Sequence, residues 1–339
     1  MSLRLIQSVS NEILHDTIRQ FTNTLRNREA ESIGRQVKGV FDHCMGGGKF
    51  GRSCLALDTF QALKPNANAQ ELHRAAKVSM SLELLQSFFL VMDDIMDGSK
   101  LRRGKPCWYR MPGIGMNAIN HGLQLNLAVN EVIYKEMEDH PRLYQMLRDV
   151  QQTKTITVIG QELDCTTQGP EDCTWDRYEQ LVHHKTCHYS YTLPIRMGFH
   201  LANRDGYEAL TPLTYKLGFL FQSQDDYLDC FGQAEVTGKD GTDLAEGKCT
   251  WFSCKTLELL KSLPNPDLQR QFLENFGHAE KESVTQAKEV MKQLKLVELF
   301  RQFEKQQIKD IENDINNVDT EEVRPLLHQI LQKMNGRKH

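Results

Sequence analysis

The sequence predicts an all-α protein, and three observations lead there. Apolar residues recur at three- and four-residue intervals along most of the chain. Gly (22) and Pro (10) are too few in 339 residues for the many turns of a β-sandwich or barrel of that length. No β-rich block interrupts the helical pattern. At 40% hydrophobic and 25% charged, the composition is globular and too apolar for a disordered chain. Length alone suggests about two domains. No Pro/Ser-rich linker divides the chain, so one domain over 1–339 is expected.

The elements follow in order. Leu14, Ile18, Phe21 and Leu25 open an amphipathic helix. GGGKFG (46–51) reads as a loop. Residues 70–97 form the longest helical candidate, with Leu72, Ala76, Val78, Leu82, Leu85, Phe88, Phe89 and Met92 around much of its circumference, so a buried central helix is expected. DGSKLRRGKP (97–106) is the next loop. Helices are predicted at 118–138, 141–164, 174–202, 207–232, 248–262, 266–275, 278–294 and 295–317, with a last one near 320–335. Polar runs at 167–172 and 232–248 separate some of them.

Nine cysteines, an odd number without a CxxC pair, read as reduced thiols and not as a disulfide framework. No run of about 18 apolar residues is evident, so no transmembrane helix is expected. The N-terminal stretch lacks a signal-peptide core and is a poor transit peptide. A cytoplasmic protein is expected. Lys plus Arg number 41 against 45 acids, a formal charge of −4. That balance argues against nucleic acid as the partner, which selects for a basic excess.

Where the acids sit is more informative than their number. DDxxD occurs twice: Asp93, Asp94 and Asp97 in DDIMD, and Asp225, Asp226 and Asp229 in DDYLD. Random placement of the chain's Asp residues gives roughly 0.08 such motifs, so two are not a compositional accident. Within each motif the outer aspartates stand at i and i+4, on one helix face, about 6 Å apart along the axis. Each motif ends an apolar helix, where uncompensated carboxylates are costly. A hard divalent cation removes that cost, and oxygen-only ligands suit Mg²⁺, which takes its remaining ligands from water and substrate phosphates. The competing reading is a pair of solvated acidic helix ends. EF-hand spacing and paired Glu-x-x-His motifs are both absent.

Cations adjoin the acids. SKLRRGKPCWYR brings Lys100, Arg102, Arg103 and Lys105 directly after the first motif, and GGGKFGR places Lys49 and Arg52 beside a glycine loop. Metal on one side and guanidinium forks on the other form a diphosphate-binding arrangement. The glycine loop is not a P-loop, since GxxxxGK[ST] does not occur. Lys185 lies in HHKTCHYSY, and Lys239 and Lys248 follow the second motif. His184 and His188 have i, i+4 spacing, but no third zinc ligand accompanies them.

Taken together, GGGKFGR, LLQSFFLVMDDIMDGSKLRRGKPCWY, GQELD, KTCHYSYTLP, FQSQDDYLDCFG, TGKDGTD and KCTW resemble the trans-isoprenyl diphosphate synthases, in particular the eukaryotic farnesyl diphosphate synthases. The resemblance covers nearly the whole chain. It implies an isoprenoid synthase fold, a bundle of about ten or more helices around a central cavity, usually as a homodimer. It implies that Asp93, Asp94, Asp97, Asp225, Asp226 and Asp229 bind Mg²⁺, three ions per site, with Mn²⁺ as a substitute. Arg102, Lys185 and Lys239 would contact the allylic diphosphate. Lys49, Arg52, Gln86 and Arg103 would bind isopentenyl diphosphate. Thr186 and Gln222 would place the reacting carbons and stabilise the carbocation, with Lys185 and Lys239 in the same catalytic set. Asp243 and Lys248 would lie near the pocket mouth, Lys248 binding substrate. Phe88 and Phe89, one helical turn before Asp93, would stop chain growth at fifteen carbons; the plainer alternative is two core phenylalanines.

Some positions depart from the family pattern, including Gly51, Ser53, Met92, His183–His184, Gln233–Ala234 and 245–247. Three readings follow. The first is a prenyltransferase condensing dimethylallyl or geranyl diphosphate with isopentenyl diphosphate, to farnesyl diphosphate. The second is a terpene synthase ionising geranyl or farnesyl diphosphate without isopentenyl diphosphate. The third is a non-enzymatic subunit on an inherited fold. Lys49, Arg52, Gln86 and Arg103 are needed only by the first, and intact Asp motifs speak against the third.

Overall fold

The structure, a computed structural model, describes residues 2–167, 169–232 and 241–336. Its order is α1 (Ser2–Thr22), α2 (Asn27–Met45), α3 (Gly51–Leu63), α4 (Ala69–Met96), a short hairpin β1 (Leu101–Arg102) and β2 (Lys105–Pro106), α5 (Ala118–Met137), α6 (Leu143–Cys165), α7 (Trp175–Val182), a π-helical stretch (His183–Thr192), α8 (Leu193–Leu201), α9 (Thr211–Phe231), the single turn α10 (Asp243–Glu246), α11 (Trp251–Ser262), α12 (Pro266–Leu273), α13 (Lys281–Gln293), α14 (Leu296–Asn316) and α15 (Arg324–Asn335). The all-α expectation holds. The chain divides into two compact units, Met1–Thr153 with Tyr189–Glu208, and Lys154–His188 with Ala209–His339.

In the first unit, α4 is the axis. An Asn68–Glu71 capping box starts it, satisfying two otherwise orphaned backbone donors. Every residue from Ala75 to Leu85 is buried, so this helix has no solvent face over three turns. Leu84→Ala here would cost about 2–5 kcal/mol. Two charged residues in that run are paired. Lys77 meets Glu136 on α5 and approaches Glu12 and Asp16 on α1. Glu83 accepts the Ser53 N–H and hydroxyl, both at 3.2 Å, and so caps the start of α3. That contact gives Ser53, a departure from the family pattern, a structural purpose. α4 is long and apolar enough to cross a membrane by length and composition, but 72% of its apolar window is buried inside the protein, as a central core helix requires.

In the second unit α9 takes the central place. Gln224, fully buried, donates to Glu304 on α14 (2.7 Å) and to the Met334 carbonyl on α15 (3.0 Å). An aromatic cluster of Tyr227, Trp251, Phe252 and Phe300 fills the space around it, with Tyr227 and Phe300 stacked at 5.2 Å.

Several elements go beyond the sequence expectations. Helices α2 and α3 were not predicted, nor was the turn α10 inside the loop expected at 232–248. α2 carries Gly34 and Gly39, which weaken its helical signal; Gly39 is small because the Trp108 ring lies where a Cβ would come within 3.2 Å of it. The helix predicted over 174–202 is broken in register by the π stretch. Pro194 has no N–H for the Ser190 carbonyl, and a wider turn accommodates that loss.

Candidate active site

The first acidic motif ends α4. Asp93 and Asp97 are partly exposed, whereas Asp94 is 4% exposed. The hairpin after the motif returns a cation to it. Arg102↔Lys105 is the last pair of the ladder, and Arg103 and Gly104 make the two-residue turn with φ of 54° and 73°. Two positive-φ residues are what a tight hairpin of this twist requires. The hairpin aims the Arg102 guanidinium as a fork, Nε to Asp94 Oδ1 at 2.6 Å and Nη2 to Asp93 Oδ2 at 3.0 Å. Burial raises the Asp94 carboxyl above its usual range, with Arg102 and the Cys107 thiol opposing. Asp94 is thus turned inward onto Arg102 and Cys107, and Asp93 and Asp97 form the outward face.

The cations assigned to isopentenyl diphosphate cluster around the glycine loop of the same unit. Arg103 Nη1 donates to the Cys44 carbonyl at 3.2 Å and lies 3.2 Å from where a Gly48 Cβ would stand, so a side chain at Gly48 would crowd the guanidinium. Arg52 donates to Ser190 Oγ at 2.7 Å, and its guanidinium lies 4.2 Å over the Tyr189 ring. Lys49 is exposed at the loop's end. Gln86 lies seven residues before Asp93, on the same helix face. Phe88 and Phe89 are half-buried with ring centroids 5.1 Å apart, and Phe89 meets Tyr189 at 5.6 Å. Met92 fills the space left by Gly122 on α5.

The second motif lies on α9 and again divides. Asp225 is partly exposed; Asp226 is 3% exposed and Asp229 5%. Asp226 Oδ2 accepts Tyr178 Oη–H at 2.7 Å and the Trp251 N–H, the first of α11, at 2.9 Å. Its Oδ1 accepts Gln222 Nε2–H at 2.9 Å. Burial pushes this carboxyl up to about 6 even with three donors opposing it. Asp229 Oδ1 accepts the Asp243 N–H at 3.0 Å, fixing α10. Thr186 Oγ1–H donates to Gln222 Oε1 at 2.7 Å.

Thr186 and Lys185 stand on the π stretch. Gly160 on α6 and Gly218 on α9 flank it so closely that a side chain at either would strike the backbone of Lys185 or Cys187. π turns of this kind concentrate at functional positions. Lys185 and Lys248 both donate to Asp164 Oδ2, at 2.7 and 2.8 Å. Burial works to raise the Asp164 carboxyl, and the two ammoniums overcome it and hold it below the usual range. Two cations on one carboxylate leave positive charge to offer an anion. Lys239 lies outside the described residues.

Sequence reasoning missed Asp164, Tyr178, Tyr189 and Ser190 as site residues. Asp164 carried a signal in GQELD, an acid ending a helix in a chain rich in unassigned lysines. Tyr178 carried none, because its partner is 48 residues away.

An all-α scaffold that sets aspartates, arginines and paired lysines at helix ends defines a diphosphate-handling class of protein. The chain belongs to the polyprenyl synthetase family, whose profile matches residues 35–294 and so runs through both units. Farnesyl pyrophosphate synthase of Rattus norvegicus is 37% identical over 315 residues, 87% of this chain and 88% of the rat protein. The Panax ginseng farnesyl pyrophosphate synthase is 31% identical over 99% of this chain and 97% of its own. The T. brucei farnesyl diphosphate synthase complexed with risedronate superposes with a TM-score of 0.91 at 26% identity over 100% of both chains. The chain accordingly has the isoprenoid synthase fold.

Proposed function

We propose that this protein is a trans-prenyltransferase that condenses dimethylallyl or geranyl diphosphate with isopentenyl diphosphate and releases farnesyl diphosphate. The observation that carries this reading is the gathering of Arg103, Arg52 and Lys49 around one glycine loop. A second diphosphate needs such a set, and a terpene synthase does not. The names of the relatives favour the same reading.

The donors suit Mg²⁺, or Mn²⁺ in its place: they are oxygen-only, and in each motif the second aspartate is buried against protein partners while the first is partly exposed. Asp93 and Asp97 in the first unit and Asp225 in the second would hold the ions, three per site. Bound Mg²⁺ supplies charge neutralisation for the leaving diphosphate. The chain's own residues do the rest. Arg102, Lys185, Lys239 and Lys248 bind the allylic diphosphate and stabilise the charge that grows on it as its C–O bond breaks. Thr186 and Gln222 present oxygens to the allylic cation. Phe88, Phe89 and Tyr189 exclude water from it and limit the chain. The isopentenyl double bond then attacks, and the proton lost goes to the departing diphosphate.

We read the active form as a homodimer and the functional domain as the whole of 1–339. Residues 111–130 carry no Asp, Glu, Lys or Arg. Over that stretch Met116, Ile119, Leu123 and Leu127 expose 61%, 42%, 45% and 56% of their surface. An apolar, charge-free stripe fits a second copy of the same helix. Nine free cysteines support a cytoplasmic location.

The test is an assay of the purified protein with Mg²⁺ and dimethylallyl, geranyl or farnesyl diphosphate, with and without isopentenyl diphosphate. Elongated diphosphate that appears only when isopentenyl diphosphate is added is the expected result. Hydrocarbon or alcohol from the allylic substrate alone would overturn it in favour of a terpene synthase.

A further inference from the structure

Four side chains of the second unit form one hydrogen-bonded chain: Tyr178, Asp226, Gln222 and Thr186. Its polarity is fixed from one end. The Trp251 backbone N–H can only donate, and it donates to Asp226 together with the Tyr178 hydroxyl. An ionised carboxylate can only accept, so Gln222 must turn its NH₂ toward Asp226. Its amide oxygen then faces Thr186, and the Thr186 hydroxyl must spend its one proton on that oxygen. What remains at the Thr186 end is lone pairs.

We propose that Asp226 and Tyr178 are positioning residues that set the direction of this chain, so that the Thr186 and Gln222 oxygens meet the allylic cation with their negative ends. The inference rests on the prenyltransferase reading and adds to it a reason for the buried, inward aspartate of the second motif. Asp226 lies beneath the reacting atoms and acts through Gln222. Its buried charge is held by three donors, one of them the N-terminus of α11.

Asp226→Asn tests this with little change of shape. The Asn oxygen keeps Tyr178 and Trp251, and its NH₂ now faces Gln222. Gln222 then flips, and its NH₂ faces Thr186. Every hydrogen bond survives while the dipole at the cation reverses. The expected result is a melting temperature within a few degrees of wild type, KM values for both diphosphates within about threefold, and kcat lower by about 10²–10³, the range for losing one preorganised dipole. Tyr178→Phe leaves the direction intact and lowers kcat about threefold to tenfold. In a Thr186→Val background, Asp226→Asn should lower kcat by a smaller factor than it does in the wild type, since one of the two oxygens it orients is gone. Unchanged kcat in Asp226→Asn, or losses that multiply in the double variant, would overturn the proposal. Failure of the wild type to elongate any allylic substrate would instead overturn the prenyltransferase reading. The polarity is then decided by NMR of the Gln222 side-chain amide, whose resonances must shift in Asp226→Asn; resonances that stay in place contradict it whatever the enzyme turns over.

Discussion

The two aspartate motifs have the same spacing and sit at the ends of two apolar helices, yet their inward aspartates serve different partners. In the first motif Asp94 turns to a guanidinium, and Arg102 reaches it from a hairpin eight residues on. In the second, Asp226 turns to a phenol, a backbone N–H and an amide from three different segments. The first inward aspartate holds a cation that can itself reach a diphosphate. The second holds neutral donors and hands polarity along a chain. A helix puts residues i and i+4 on one face and i+1 about 100° round it. In both motifs the first aspartate is partly exposed and the second buried; Asp229, at i+4 in the second motif, is buried as well, so the neighbours and not the spacing alone decide what each aspartate does.

The comparison can be broken most severely at the outward positions. Asp93→Ala and Asp225→Ala should each lower turnover more than about 10³-fold in a steady-state assay with Mg²⁺, since each removes a partly exposed carboxylate that would hold an ion. Asp94→Asn should be milder and of a different kind. It loosens the Arg102 fork, so KM for the allylic diphosphate should rise about tenfold while kcat falls less. A kcat loss as large as that of Asp93→Ala would erase the distinction between outward and inward aspartates.

Asp164 sharpens the second region. Asp164→Asn leaves Lys185 and Lys248 without their shared carboxylate and should cost about 1–3 kcal/mol of stability at pH 7. Because the two ammoniums hold this carboxyl below its ordinary range, its stabilisation is present above about pH 4 and is lost as pH falls through the lowered folded value. The difference in melting temperature between wild type and Asp164→Asn should therefore close in strong acid, and a gap that widens there would refute the assignment. The smallest effect concerns product length. Phe88→Ala with Phe89→Ala should leave turnover within about tenfold and lengthen the product, as read by chromatography of the dephosphorylated alcohols.

Much of this architecture was legible. The long central helix was predicted at 70–97 and runs Ala69–Met96, and the helix predicted at 295–317 runs Leu296–Asn316. Periodicity and charge adjacency carry that kind of information. The site's cationic side was legible for a similar reason, since Arg102 and Arg103 follow the aspartates directly. The unpredicted parts depend on distant partners. Tyr178, Asp226 and the Trp251 N–H meet through tertiary packing. The π stretch needs Pro194 and the flanking Gly160 and Gly218 together, and no local pattern joins those positions. Spacing shows which aspartates share a helix face and not what each of them already contacts.

The most direct measurement of the division within each motif is Mn²⁺ binding in the presence of inorganic pyrophosphate, followed by EPR on four single variants. Asp93→Asn and Asp225→Asn should each weaken binding at least tenfold, while Asp94→Asn and Asp226→Asn should stay within about threefold of wild type. Equal losses at the first and second aspartates of either motif would contradict the account.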